Sequence, residues 1–593
     1  MSSTEKKGGS HQNGKSPNVQ ELTPLEVPLS PDISLDEADY EWEGYLAENG
    51  EVPVNLFQLR DKETGVTVST TTERNAGRTA SVRAWTAARH SREPGNILYI
   101  MRQVVHENVD SAGRLEKFAI NYGENSIADL AEVYVDLENI SMVQAMRLFH
   151  MTQVHAGQEK STRYQIGFGK KPLVPLQNSL AREQFTPEQW DTINTEYQRL
   201  GEIALDMFHR NYDRASDALA LHYSPQGTKE DKTLQMRAMD CARFFFLFGQ
   251  RTGMSKKATA RTWSIVIAEL KASELDSDVR LGEQLQRLLA PDELTEEKLG
   301  YVAEAPSLVK HTEADTQFHE NLTVLEDFLR TETDFFQAVS IATDFRGERK
   351  LGVKVVGGEY TTSEKMIAQY ILTLHPNASL SQTLSWVTTL SIDQKRAIGS
   401  IIFNGHTDHE QLPQQAVTSE HMVIYYAPIG INRDFNRHRA MGRFTPLPTL
   451  YGKAMDYHQA HQILSRGYIL PYHLTHIPEL AEVRDQFRED MEQYYQEVYN
   501  FLETVHEACP NITDYSFLIN LLPLGHATPF VMHTDPKKAH YFTRLRVKVG
   551  GQADYRYLCA QTGTAIAKSD PILSPMDIPD PDLLSREAFF GRR

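Results

Sequence analysis

The chain states one short pattern twice. Gly249-x-x-Thr252 and Gly525-x-x-Thr528 are each followed, seven positions after the threonine, by a small polar residue, Thr259 or Asp535. Two positions further stands a cation, Arg261 or Lys537, and then a helix-like stretch, TWSIVIAELK or KAHYFTRLR. The spacing is the same without gaps. Upstream, both halves run from a half-buried strand into a helix and then a basic loop. Chance likeness between two helical stretches is the competing account, but the agreement in the order of strand, helix and loop argues for a repeat. Two copies of one supersecondary unit predict an α+β fold: two tandem domains, each a small, mostly antiparallel sheet flanked by long helices.

The elements follow from periodicity. VPVNLFQLR from Val52 reads as a strand, AGRTASVRAWTAARHS as a helix and NILYIMRQVV as another. AEVYVDLENIS alternates like a strand and leads into a helical SMVQAMRLFHMTQ. Thr186-Pro187-Glu188-Gln189 is a capping box with proline at the first helical position, followed by Trp190, Ile193, Tyr197, Leu200, Ile203 and Met207 at helical spacing. In the second half LGVKVVGG reads as a strand, EKMIAQYILTLH as a helix, and EHMVIYYAPIGI as a strand leading to a helix. A long helix carries Leu480, Val483, Phe487, Met491, Tyr494, Val498 and Phe501 on one face. The boundaries expected are a disordered tail over 1–50, domains over 51–300 and 351–575, a helical connector over 301–350, and a C-terminal tail over 576–593 with an irregular, Pro- and Asp-rich approach.

A length of 593 residues exceeds one ordinary domain, and 40% hydrophobic residues can build a large core. The net charge of -18 argues against a nucleic-acid coat or a binder of anionic membranes, while leaving room for a local basic pocket. Mean hydropathy is -0.46, and no apolar run approaches the ~20 residues of a bilayer span. The first residues lack the apolar segment of a secretory signal. Three separated cysteines, Cys241, Cys509 and Cys559, fit a reducing cytoplasm better than a disulfide framework or a thiolate zinc site. His406, Asp408, His409 and Glu410 invite a metal reading, but the spacing offers no third partner. No phosphate-binding Walker loop and no dinucleotide Gly-x-Gly-x-x-Gly after a strand is present.

Two segments carry the functional signal: Gln158-Glu159-Lys160-Ser161-Thr162-Arg163-Tyr164, and Arg437-His438-Arg439 preceded by Glu420-His421 and the strand MVIYYAPIGI. Together they resemble the flavin-dependent thymidylate synthase family, ThyX. That family's signature runs Arg-His-Arg, Ser, Asn, Glu and Ser-x-Arg-Tyr in one copy. Here it is split. The first half keeps Glu159, Ser161, Arg163 and Tyr164, and its Arg-His-Arg positions fall on Met151, Thr152 and Gln153. The second keeps Arg437 to Arg439, with Gly442, Phe444 and Thr445 at the next positions, and its Ser-x-Arg-Tyr positions fall on Leu447, Pro448, Thr449 and Leu450. Of the family's later motif, Arg243, Thr252 and Arg261 match in the first half. Leu522-Pro523, Thr528, Leu545-Arg546, Gly551-Gln552 and Asp554 match in the second, where the first Arg position is Ile519. The resemblance spans most of 52–270 and 352–560.

The residue types suit the chemistry that the resemblance implies. Ser161 and Arg163, two apart in extended backbone, would point the same way at a nucleotide phosphate, with Glu159 and Arg243 completing the substrate site. The competing reading pairs Arg163 with Glu159 on the surface. Arg437, His438 and Arg439, with Glu420 and Arg261, would hold the FAD pyrophosphate and ring edge; a solvated basic helix end is the alternative. Arg546 would stabilise charge developing on the pyrimidine oxygens, or else pair with Asp554. No cysteine sits where a covalent attack on a pyrimidine would need it.

The resemblance therefore implies a flavin-dependent enzyme that transfers a one-carbon unit to C5 of a pyrimidine nucleotide, dUMP by default. Reduced FAD, methylenetetrahydrofolate and NADPH would take part. The family is a homotetramer with sites between subunits, so a fused pair implies a homodimer of tandem chains, with no nucleic-acid or membrane partner. The alternative is a catalytically inactive nucleotide- or flavin-binding protein of the same descent.

Overall fold

The computed structural model of the chain describes residues 31–45, 54–73, 79–90, 100, 125–152, 156–163, 172–176, 185–301, 303–356, 360–402, 404, 415, 421–439, 441–534, 536–569 and 580–591. The fold is α+β with antiparallel sheets. Strands β1 (Ile33–Asp36) and β2 (Tyr40–Tyr45) fold within the stretch expected to be a tail. That expectation is corrected for residues 31–45. Tyr40 and Trp42 alternate with half-buried Glu41 and Glu43, the Trp42 ring lies 5.8 Å from Tyr301, and Arg287 stacks 4.7 Å over Tyr40. A reading by composition averages away so short an alternation.

After β3 (Val54–Asp61), β4 (Thr67–Glu73) and helix α1 (Thr79–His90), β5 (Glu132–Ser141) runs straight into α2 (Met142–His150). Ser141 caps α2 in a box with Gln144, so the chain turns from extended to helical within one residue. β6 (Ala156–Glu159), α3 (Pro187–Tyr223), α4 (Thr228–Ala242), β7 (Arg251–Thr259), α5 (Ala260–Lys271) and α6 (Asp276–Leu289) complete the first half. The sheet order is β1-β2-β3-β4-β5-β7-β6, antiparallel throughout. Seven strands make it larger than the small sheet expected, because the two hairpins β1–β4 extend one edge. The helix expected over 96–105 lies outside the described residues except for Ile100.

The second half holds α7 (Gln317–Thr331), β8 (Glu348–Arg349), β9 (Gly352–Val356), α8 (Thr362–Leu374), β10 (His421–Pro428), α9 (Ile429–Asp434), β11 (Gly442–Phe444), β12 (Tyr468–Ile469), α10 (Ala481–Ala508), β13 (Ala527–Thr534), α11 (Pro536–Arg546), α12 (Ala553–Ser569) and α13 (Arg586–Phe590). Its main sheet is ordered β11-β13-β10-β9, antiparallel, and β8 and β12 form a short parallel pair. Residues 303–309 pack into the first half's core and Leu322, Leu325 and Leu329 of α7 into the core shared by both halves, so the connector segment is divided between them. The C-terminal stretch ends docked, with Phe589 stacked on Tyr223 at 3.9 Å.

The two halves meet along α3 and α10. These long helices lie antiparallel: Gln189 Nε2 donates to Ala508 O at 2.7 Å, Arg199 pairs with Glu497 at 2.6 Å, and Asn211 Nδ2 donates to Asp490 at 2.7 Å. Beside them, residues 244–249 and 520–525 exchange backbone bonds. Phe248 N donates to Leu522 O and Leu524 N to Phe246 O; Gly249 N donates to Asn520 O and Gly525 N to Phe244 O. This approach requires glycine at 249 and leaves little room for a side chain at 525. A Cβ on Gly249 would lie 2.7 Å from Asn520 Cα, and one on Gly525 would lie 3.1 Å from Phe244 Cβ.

Candidate functional site

This central seam sets the first half's β6 and the turn after it against the second half's α9 and the turn that follows. Gly157 lets β6 lie flat on β7, since a Cβ there would meet Ser255 O at 2.7 Å. Three arginines tie the walls together. Arg433, at the end of α9, pairs with Glu159, whose side chain is 11% exposed. Arg439 donates to Gly157 O. Arg243, 1% exposed, donates to Thr162 Oγ1 and to Asp434, both at 2.9 Å, and to Gln552.

Between the walls lies a cleft of about 260 Å³. Its first wall is Phe149 and Gly157 to Thr162; its second is Arg433, Asp434, Asn436, Arg437 and Arg439, with Arg546 at the rim. Among the described residues, five cations (Lys160, Arg433, Arg437, Arg439 and Arg546) face two carboxylates, Glu159 and Asp434. A cation-rich cleft in a chain of net charge -18 selects an anionic ligand by local field rather than by overall charge. Among the described residues, four buried donors on or behind it have no hydrogen-bond partner: Nε of Arg433, Arg439 and Arg243, and Nδ2 of Asn436. Arg443 Nη1 donates to Asn436 Oδ1 at 2.5 Å, which fixes that amide with its donor end free.

The predicted residues separate into those that line the cleft and those that brace it. Arg437, exposed and with no ion pair or hydrogen bond to a described residue, is a free cation on the wall. His438 turns inward. Its Nε2 accepts from Arg546 Nε at 2.9 Å and bonds Tyr555 OH at 2.8 Å, and burial pushes the ring's pKa down to about 3. The ring is therefore neutral, and Nε2 carries the lone pair. Arg546 spends Nε on His438 and stacks 5.9 Å over Tyr555, leaving its terminal nitrogens toward the cleft; it does not pair with Asp554. Ser161 lines the cleft, and its Oγ accepts from Arg163 N at 3.3 Å.

Arg163 itself reaches behind the wall. It grips Asp240 with both Nε and Nη2, at 2.6 and 2.8 Å, rather than Glu159. Burial would raise the Asp240 carboxyl, but Arg163, and then Arg243 and Arg237, hold it below the usual range. Glu159 stays raised because burial outweighs Arg433. Arg261 pairs with Asp129 at 3.1 Å and does not line the cleft. Glu420 and the His406–Glu410 cluster lie outside the described residues. Burial raises the Cys241 and Cys559 thiols well above their ordinary value, so neither supplies a thiolate.

Residues 359–572 match the family model described as thymidylate synthase complementing protein, Thy1. This stretch is a Thy1 domain. A UPF0159 protein of Chlamydia pneumoniae is 22% identical over 465 residues, covering 76% of this chain and 77% of that protein. The structure of thymidylate synthase X from Helicobacter pylori with FAD and dUMP covers 39% of this chain and 95% of its own, at 12% identity and a TM-score of 0.21, too slight a likeness to argue from. The Thy1 domain supplies Arg433 to Arg439 and Arg546 to the cleft. The other wall, 149–162, comes from outside the matched stretch. Among the described residues no helix is long and apolar enough to cross a membrane.

Sequence reasoning did not single out Arg433, Asp434, Asn436 or Asp240 as site residues. Arg433 had a signal, since it stands four positions before Arg437. Asp240 had one in its place three before Arg243, where one helical turn brings the two together. Asn436 had none, because only packing against Arg443 decides which way its amide faces.

Proposed function

We propose that the chain is a flavin-dependent thymidylate synthase-like enzyme built from two tandem ThyX-like copies. Its cleft takes a pyrimidine nucleotide, dUMP by default, together with the anionic part of FAD. The observation that carries this reading is the composite cleft: the loop that bears Ser161 faces the Arg433–Arg439 turn of the Thy1 domain across one cation-rich space. The backbone exchange at the seam supports the repeat. The offset that carries Gly249 onto Gly525 also carries Phe248, Phe246 and Phe244 onto Leu524, Leu522 and Asn520, so each bond maps onto its reciprocal, and the bridged pair Leu247 and Pro523 sits on the local axis.

The residues fit the phosphates of such ligands. Arg437 offers a free guanidinium fork, and the unpartnered Nε atoms and Asn436 Nδ2 want acceptors. Among the described residues one aromatic ring, Phe149, lines the space, and about 260 Å³ is small beside the ~300–1,000 Å³ of sites that engulf a whole ligand. A second chain completing the wall, as a homodimer of tandem chains, supplies the remainder. Bound FAD would supply the redox chemistry of the one-carbon transfer from methylenetetrahydrofolate, with NADPH as reductant. The chain's own part is to hold phosphate at Arg437 and Ser161 and to place Arg546 where charge develops on the pyrimidine oxygens. Arg163 and Arg243 position the Ser161 loop through Asp240, Thr162 and Asp434.

One observation favours a second reading, a nucleotide- or flavin-binding protein without turnover. Arg163 and Arg243 spend their donors inside the protein. The purified protein decides between them. A flavin absorbance band that shifts on titration with dUMP, and single-turnover formation of thymidylate, support the enzyme. A shift without turnover supports the binding protein. Colourless protein that gains no band with added FAD refutes the flavin reading.

A further inference from the structure

The repeat offset carries Asp240 onto Ser516 and Arg243 onto Ile519, and the motif spacing carries Arg163 onto Thr449. The strand-to-helix junctions Ser141–Met142 and Pro428–Ile429 likewise carry Arg147 onto the Asp434 end of α9. These counterparts also meet in space. Thr449, Ser516, Ile519 and Arg147 line one small cavity of about 30 Å³. Each charged member of the Arg163–Asp240–Arg243 network is thus neutral on this side, where about 260 Å³ has shrunk to room for a water or two.

What closes the space comes from the segment 273–278, after the repeat. Asp278 pairs with Arg147, and both side chains are 3% exposed. Arg147 Nη1 also donates to Ser273 Oγ at 3.1 Å. Ser273 Oγ and Glu274 N donate to Gly452 O at 3.2 and 2.8 Å, and Lys453 pairs with Glu274 at 2.6 Å. Gly452 has φ 72°, and a Cβ there would press on the Arg147 guanidinium at 2.6 Å, so the lid is seated without spare room.

We infer that this position is the sealed counterpart of the open cleft: each chain binds one phosphate-bearing ligand, not two, and the Arg147–Asp278 pair is a strut that locks the second position shut. The inference rests on the tandem-repeat and nucleotide reading above for the ligand count, while the strut stands on its own contacts.

The test uses the full chain. Calorimetric titration with inorganic pyrophosphate is expected to give one site per chain, lost in Arg433→Ala and kept in Asp278→Asn. A count of two, or one site lost in Asp278→Asn while Arg433→Ala still binds, overturns the inference. A thermal-melting cycle over Arg147→Ala, Asp278→Asn and the double variant is expected to lower Tm by roughly 2–4 °C for either single change, with the double change costing less than the two together. Additive losses overturn the strut. Where Arg147→Ala does not fold, amide exchange of residues 273–278 replaces it; the segment is expected to be protected as strongly as the core, and fast exchange overturns the seal. No pyrophosphate binding with the coupling intact refutes the ligand reading of the open cleft and supports the strut.

Discussion

At the scale of single residues, the arginines around the cleft divide by what their donors do. Arg437 is exposed and unpaired among the described residues, so Arg437→Ala should leave Tm within about 1 °C while weakening binding of anionic nucleotides roughly tenfold, less so at high salt. Filter binding at two ionic strengths reads this; unchanged affinity would remove Arg437 from the site. Arg163 behaves oppositely. Its removal leaves Asp240, 2% exposed, without its bidentate partner, and only Arg237 at 3.6 Å and the field of Arg243 remain. Arg163→Ala should therefore cost about 3 kcal/mol of stability, measured by denaturant melts, with lost ligand binding following from the displaced Ser161 loop. A fully stable variant that has lost binding would restore Arg163 to direct phosphate contact. The type of residue was legible in the chain; its assignment to wall or brace was not. An arginine two positions from a serine reads the same whether its fork meets a phosphate or a carboxylate behind the wall.

At the scale of elements, the local signals translated well. The Thr186 capping box forms as read, with Gln189 N donating to Thr186 Oγ1 at 3.2 Å, and Gln189 adds a bond to Ala508 at the far end of α10. Thr186→Ala should cost about 1 kcal/mol, visible as a lowered denaturation midpoint. Caps and helical faces were readable because they depend on residues within a turn or two of each other. The repeated glycine was readable as a position but not as a cause. Gly249 lies against the other half's backbone at Asn520, and Gly525 against the side chain of Phe244. Gly249→Ala should destabilise by about 3 kcal/mol and Gly525→Ala by less, since the first would meet backbone and the second only neighbouring side-chain atoms. Equal melting temperatures for both variants and the parent would contradict the tight seam. The hairpin β1–β2 escaped a compositional reading because two buried rings suffice to anchor it.

At the scale of the whole molecule, burial sets the response to acid. His319, His438, His473 and His533 are each pushed down to about 3 by burial, and His526 further. Below the ordinary value of 6.5 these histidines take up protons in the unfolded chain that the folded chain refuses, so their contribution to stability falls as pH drops from 6.5 toward 3. Each such histidine contributes up to about 1.4 kcal/mol per pH unit. Glu269 and Asp554, raised to about 7, act the other way, as do Glu159, Asp278 and Asp514, which burial also pushes up, so among the described residues the raised carboxyls oppose the histidines in equal number. A single ring is therefore the test: in His319→Gln, Tm should fall less, or rise more, than in the parent as pH drops from 6.5 to 5, and an unchanged pH profile would show that this ring is not held neutral.

The sequence by itself determined most of the described helices and strands, their order, the split signature and its likeness to ThyX. Each is written in spacings of a few residues, over which backbone geometry is fixed by local bonds. Only the tertiary structure decided that the junction of the Ser161 loop with the Arg433–Arg439 turn stays open while the space around Arg147 is filled. Whether the space between a loop and a helix end becomes a cation-lined cleft or a locked ion pair depends on contacts between segments over a hundred residues apart, such as Arg243 with Asp434 or Arg147 with Asp278. Burial alone then settles which charges face the cleft and which neutralise one another.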